Sequence, residues 1–164
     1  MTNALNLNAP VDTLAMEFTR DFDAPVEALF RAHAEPDLVK QWLGPRDLEM
    51  TIEHWDFKTG GGYRYVHKAD RGEFGFNGVY HTVRENEFII QTFEFAGAPD
   101  MVNIEFMWFE DLGNGRSRLR GRSICPNTEA RDALLSSGME GGMTEGYEKL
   151  DALLKSLQPA QKKG

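Results

Sequence analysis

The chain has 164 residues, 41% of them hydrophobic and 27% charged, a net charge of −8 and one cysteine, Cys125. That length suits a single domain that buries about 70% of the surface its unfolded form exposes. The acidic balance argues against nucleic-acid binding, which depends on clustered Lys and Arg. The lone cysteine excludes an internal disulfide and a cysteine-based zinc site.

The opening residues lack a basic segment followed by an apolar run, and no run approaches the ~18 apolar residues of a membrane span. A cytoplasmic protein is expected. Residues 1–13 are expected to be loosely ordered, 14–157 to form the domain, and 158–164 to be a flexible tail. Residues 14–22 alternate and predict a first strand. Pro25, with Glu27 in the first turn, opens a helix carrying Val26, Leu29, Phe30 and His33. Pro36 opens a second short helix carrying Leu38, Val39, Trp42 and Leu43, which Gly44-Pro45 stops.

From there the period is two. Strands are predicted over 48–57, 62–69, 73–84, 87–95, 101–110 and 116–125. Met50 and Ile52 point to one phase of 48–57 while Trp55 and Phe57 point to the other, so a bulge is expected between them. "TGGG", residues 59–62, precedes an alternating aromatic strand rather than a helix. It therefore reads as a strand-to-strand turn and not as a phosphate loop. Along 101–110, Val102, Ile104, Phe106 and Trp108 form the apolar face. In 116–125 the arginines 116, 118, 120 and 122 point one way, with Glu105 and Glu94 as expected cross-strand partners. Ser117, Leu119, Gly121, Ser123 and Cys125 point inward.

The C-terminal region is helical. Asn127 or Thr128 caps a short helix, and a longer amphipathic one carries Met139, Met143, Tyr147, Leu150, Leu154 and Leu157 on one stripe. Glu145–Lys149 and Asp151–Lys155 are expected as pairs on its outer face. Gly138, Gly141, Gly142 and Gly146 crowd its first half, where each interior glycine costs about 1 kcal/mol against alanine. Either close approach to the sheet or a deliberately loose gate accounts for them.

This order of elements is an α+β helix-grip arrangement, a curved antiparallel sheet around a long C-terminal helix. The residues carry a resemblance as well. Phe22, Ala24-Pro25, Glu35-Pro36, Trp42 and Gly44-Pro45, then Asp56, Gly60-Gly61 and Tyr63-Arg64-Tyr65, resemble the domain named after the activator of the Hsp90 ATPase. That family lies within the START-like (Bet v 1-like, SRPBCC) superfamily. "GVYHTVRENEFIIQTFEF" and "GMEGGMTEGYEKLDALL" are similar to its later segments. Two positions depart from the pattern: Lys58 replaces an arginine, and Tyr147 stands near a common tryptophan.

The resemblance implies a cavity between sheet and helix that holds a small hydrophobic ligand. On the sheet side Trp42, Tyr63, Tyr65, His67, Phe76 and Tyr80 are expected to line it, with Phe93, Phe106 and Trp108. Met139, Met143 and Tyr147 line it from the helix. A co-chaperone role toward an Hsp90-type ATPase is the alternative, and a cyclase- or hydrolase-type enzyme the second. The four histidines, His33, His54, His67 and His81, show no metal-ligand spacing, and no nucleophile elbow occurs. No catalytic residue, metal or cofactor is assigned.

Overall fold

A computed structural model describes residues 3–158 of the chain. The elements in order are β1 (Asn6–Asn8), β2 (Ala15–Phe22), α1 (Val26–Ala34), α2 (Pro36–Trp42), β3 (Glu49–Asp56), β4 (Gly62–Ala69), β5 (Gly72–Arg84), β6 (Phe88–Phe95), β7 (Asn103–Gly113), β8 (Arg116–Ile124), α3 (Thr128–Leu135) and α4 (Met139–Leu157). The strands form one antiparallel sheet in the order β1-β2-β8-β7-β6-β5-β4-β3. This is the expected helix-grip α+β architecture.

The segment expected to be loosely ordered supplies β1, which pairs Leu7 with Phe18. Three residues flanked by Ala and Pro are too short for a period to show. Of the expected tail, Gln158 donates to the Asp23 carbonyl at 2.9 Å; residues 159–164 lie outside the described residues.

The registers fix which side chains face α4. They are Met16, Phe18, Arg20 and Phe22 on β2, opposite Ser123, Gly121, Leu119 and Ser117 on β8. Next come Glu105, Met107 and Phe109 on β7, then Ile89, Gln91 and Phe93 on β6. On β4, Tyr63, Tyr65 and His67 share this face with Phe76 and Gly78 of β5. The expected bulge is present in β3: pairing passes from Ile52 with Tyr65 to His54 with Arg64, so Met50, Ile52 and Trp55 all face inward.

The phase of β7 is the opposite of the one its hydrophobicity suggests. Phe106 stands opposite Arg122, and Trp108 opposite Arg120. Both aromatic residues therefore lie on the outer face, stacked on each other at 6.0 Å, with the Arg120 guanidinium 4.2 Å above the Trp108 ring. Arginine and aromatic side chains cover one another there, so apolar residues need no core. The expected arginine partners are corrected too. Arg116 pairs with Asp23, Arg118 with Asp21, Arg120 with Glu110 and Arg122 with Glu17. Glu94 accepts instead from the Asp100 backbone N–H, and Glu105 is inside.

At one end the interior is closed. Leu29 and Phe30 of α1 enter the core with Phe22, Ile89, Phe109, Leu119 and, from α4, Leu150 and Leu154. Burying each such side chain contributes about 1.5–3 kcal/mol. Indole hydrogen bonds lock the helices down: Trp42 Nε1 donates to the Ala32 carbonyl at 2.9 Å and Trp55 Nε1 to that of Ala34 at 2.8 Å. Arg20, 3% exposed, grips Asp151 of α4 through two bonds of 2.8 and 2.7 Å. Asp151 thus turns inward rather than toward Lys155. Glu145 likewise caps the Arg46 N–H instead of pairing with Lys149.

The glycines of α4 have separate reasons. Gly146 approaches α2, not the sheet: a Cβ there would lie 3.1 Å from the Trp42 carbonyl oxygen. Gly138 caps the helix with φ of 84°. Gly141 has nothing within 4 Å of where its Cβ would be.

Candidate functional site

The backbone of α4 keeps company with α2, α1 and α3 rather than with the strands. Side chains must span the space between helix and sheet. Toward the C-terminal half Leu150, Leu153 and Leu154 do so and are buried. Toward the N-terminal half the stripe offers Met143 and Tyr147, while Gly142 faces Pro45. Here inward-facing groups keep accessible surface: Phe18, Phe76, Gln91, Phe93, Glu105, Met107, Ser123 and Met143 are only partly buried.

Glu105 is the outstanding group. It sits on the inner face of β7 between Gln91 on β6 and Ser123 on β8. Its carboxylate accepts from Gln91 Nε2 at 3.0 Å. Burial pushes its pKa up to about 7, with the Gln91 bond pulling the other way. It is thus deeply enclosed, yet its side chain retains accessible surface.

Around it stand phenols. Tyr63, Tyr65 and Tyr147 are all raised above the ordinary tyrosine value, first by burial and next by the Glu105 charge. All three are neutral donors and acceptors at physiological pH. Tyr63 is held: its hydroxyl crosses beneath Gly78 and donates to the Thr92 carbonyl at 2.7 Å. A Cβ at Gly78 would lie 2.1 Å from that carbonyl oxygen, so this position requires glycine. Tyr65 and Tyr147 make no side-chain hydrogen bond among the described residues. The Tyr147 ring is fixed between Phe18, Phe22 and Trp42, at 6.0, 5.7 and 5.8 Å.

Tyr63, Tyr65, His67, Phe76 and Phe93 thus share the inner face of the sheet, with Met143 and Tyr147 on the helix that covers it. Tyr65, Phe76 and Phe93 stack in a row, at 5.3 Å each step. Tyr80 packs instead with Phe57 at the closed end, at 5.0 Å. Trp42 is buried behind Tyr147. Met139 begins α4, partly buried and outside the core cluster. Phe106 and Trp108 are excluded by their outer-face position. His67 is buried against Gly44; burial lowers its pKa, and its Nε2 has no partner among the described residues.

Glu105 escaped the sequence reading because Ile104, Phe106 and Trp108 form a stronger apolar set than their neighbours. The available signal lay in β8. Its arginines must face outward, and antiparallel pairing then forces Phe106 and Trp108 to join them.

An open depression of about 500 Å³ also runs along the β1-β2-β8 edge, lined in part by Glu17, Trp108, Arg120 and Arg122. Its arginines are already paired, Arg120 with Glu110 and Arg122 with Glu17. Among the described residues no group of three His, Cys, Asp or Glu side chains is arranged to hold a metal ion. No described helix is long and apolar enough to cross a membrane.

Residues 23–155 match the family described as activator of Hsp90 ATPase homolog 1-like protein. The chain belongs to that family. Solved structures reproduce the fold nearly end to end. A solution structure from Arthrobacter aurescens is 25% identical, with 94% of this chain and 92% of that one aligned and a TM-score of 0.84. A crystal structure from Rhodobacter sphaeroides is 26% identical over 94% and 100% of the two chains, also at 0.84. A protein from Mycobacterium smegmatis, 22% identical over 96% and 100%, shares the fold at the same score. No curated protein matches. Membership of this family supports a ligand-binding kind of fold.

Proposed function

We propose that this member of the family binds a small, mainly apolar molecule in the gap between the inner face of the sheet and the N-terminal half of α4. The observation that carries the reading is the contrast in burial along one helix. Leu150 and Leu154 are sealed, while Met143, Phe76, Phe93 and Glu105 face inward and remain partly accessible. Ligand sites of this kind combine an apolar lining with a few convergent polar groups, here Glu105, Gln91 and the Tyr65 and Tyr147 hydroxyls. Methionine at 143 provides a wall that adapts to the occupant.

The test is ligand-detected thermal shift with a panel of small apolar and aromatic compounds, together with native mass spectrometry of freshly purified protein. Binders should raise the melting temperature and perturb amide signals of residues 139–147. Met143→Trp, which fills the gap, should abolish both effects and leave the unliganded fold intact. If no compound shifts the transition, or if Met143→Trp binds as the wild type does, the reading fails.

A further inference from the structure

Among the described residues the inner face beside Gln91 holds one carboxyl group, Glu105, and no cation bonded to it. Arg20, which also points inward from β2, is committed to Asp151 by two hydrogen bonds. Glu105 has a single hydrogen-bond partner among the described residues, the Gln91 amide. That amide nitrogen also reaches the Tyr63 hydroxyl, at 3.4 Å, so its donors are spent on groups already in place. The Tyr65 and Tyr147 hydroxyls lie near enough to feel the Glu105 charge, yet neither bonds to it. Acceptors are therefore in surplus. A carboxylate enclosed by aromatic rings without a counter-charge is unfavourable until something supplies one.

We propose that the ligand is an organic cation, an ammonium on an apolar or aromatic body, whose nitrogen seats between Glu105 and the hydroxyls of Tyr65 and Tyr147. This rests on the ligand-binding reading of the gap given above. An alkylammonium carries three N–H donors and no acceptor, which complements a carboxylate flanked by two phenolic oxygens. Its charge is further favoured by the electron-rich surroundings of Phe18, Phe76 and Tyr147. The hydrocarbon portion lies along the Phe76–Phe93 row and against Met143.

The pH dependence has a definite sign. The ionisable groups that feel the Glu105 charge are Tyr63 and Tyr65 on β4, Cys125 after β8 and Tyr147 on α4; Arg20 on β2 is paired with Asp151 of α4, Arg131 of α3 lies beside Cys125, and His67 lies further along β4. Burial raises the tyrosines and Cys125 and lowers His67, which moves each of them away from the neutral range. Glu105, at about 7, is the group that titrates there. Cation binding needs it ionised, so affinity rises with pH across neutrality. A neutral ligand that accepted a hydrogen bond from the carboxylic acid would show the reverse.

The experiment is calorimetric titration of the full chain with phenylbutylamine, phenylbutanol and phenylbutanoate at about pH 6 and about pH 8. The amine should bind at least tenfold tighter than the alcohol at the higher pH. Its affinity should grow about tenfold between the two, the ratio of ionised carboxyl for a pKa near 7. Glu105→Gln should remove the amine's advantage over the alcohol. Should that variant not fold, the carboxyl ¹³C shift of Glu105 in the wild type decides, since bound amine must lower its titration midpoint. Equal affinity for amine and alcohol, or amine binding that weakens as pH rises, overturns the cation proposal and leaves the gap as a ligand site. Failure of all three compounds, together with the apolar panel, overturns the site itself.

Discussion

Toward α1 and α2 the inner face of the sheet meets Leu29, Phe30 and Val39, and almost nothing between them is accessible. Toward the first half of α4 the same face meets Met143 and Tyr147, and Glu105, Phe76 and Phe93 stay partly open. One sheet thus serves two purposes. What separates them is the size of the side chains a helix sends across and the anchoring of that helix. Trp42 and Trp55 hydrogen-bond α1 from its neighbours; α4 is tied to the sheet by Arg20 on Asp151, while its first half is held at Glu145 by the Arg46 backbone rather than by the sheet. The closed end supplies stability, and the open end gives up some of it to keep space.

The largest expected break in that comparison comes from truncation at each end. Leu150→Ala at the closed end should cost about 2–5 kcal/mol in chemical denaturation. Met143→Ala, which enlarges an existing gap, should cost under about 1.5 kcal/mol. Equal losses would mean that the two ends pack alike.

A second contrast is electrostatic. His33, buried at the closed end with Nδ1 on the Leu29 carbonyl, has its pKa lowered by burial to about 4. Its folded value lies below its unfolded one, so stability is lost as pH falls from about 6.5 toward 4. Glu105 is raised, from 4.5 to about 7. The folded state holds its proton more tightly than the unfolded chain does, so stability is lost as pH climbs through that interval. Between about pH 4.5 and 6.5 the two slopes oppose and nearly cancel, each up to about 1.4 kcal/mol per pH unit. Glu105→Gln removes one of them. The variant should grow steadily more stable as pH rises across this window, where the wild type stays almost flat. Parallel curves for the two proteins would refute the assignment.

The smallest effect separates the glycines of α4. Gly141→Ala should stabilise by about 0.5–1 kcal/mol, the helix-propensity gain of an unobstructed site. Gly146→Ala should gain nothing or lose stability, because its methyl group meets the Trp42 carbonyl.

Much of the architecture is written in local patterns. The alternating strands, the Pro-initiated short helices, the Asn127 cap, which accepts from the Ala130 N–H at 2.8 Å, and the β3 bulge all follow from neighbours in sequence. The turn at 59–62 does as well: Gly60 has φ of 87°, and a Cβ on Gly61 would fall 2.0 Å from the Asp56 carbonyl oxygen. The inner wall from Tyr63 to His67 and the Phe76, Phe93, Met143 and Tyr147 positions were legible for the same reason. The rest depends on partners far along the chain. Whether Phe106 or Glu105 faces inward is decided by the neighbouring β8, and a buried carboxyl in an apolar wall runs against any hydrophobicity rule. Arg20 and Asp151, 131 residues apart, carry no local sign of their pairing.

The family match begins at residue 23, whereas the sheet does not. β2 ends at Phe22 and lies between β1 and β8. A fragment cut at the family boundary would lose the Arg20 clamp and uncover the full length of β8 as an unpaired edge. The native chain finishes that side with the short, asparagine-flanked β1, a poor template for another strand. Expression of 23–155 should therefore yield protein that self-associates through β8, and any account of the domain's boundaries has to begin upstream of its signature.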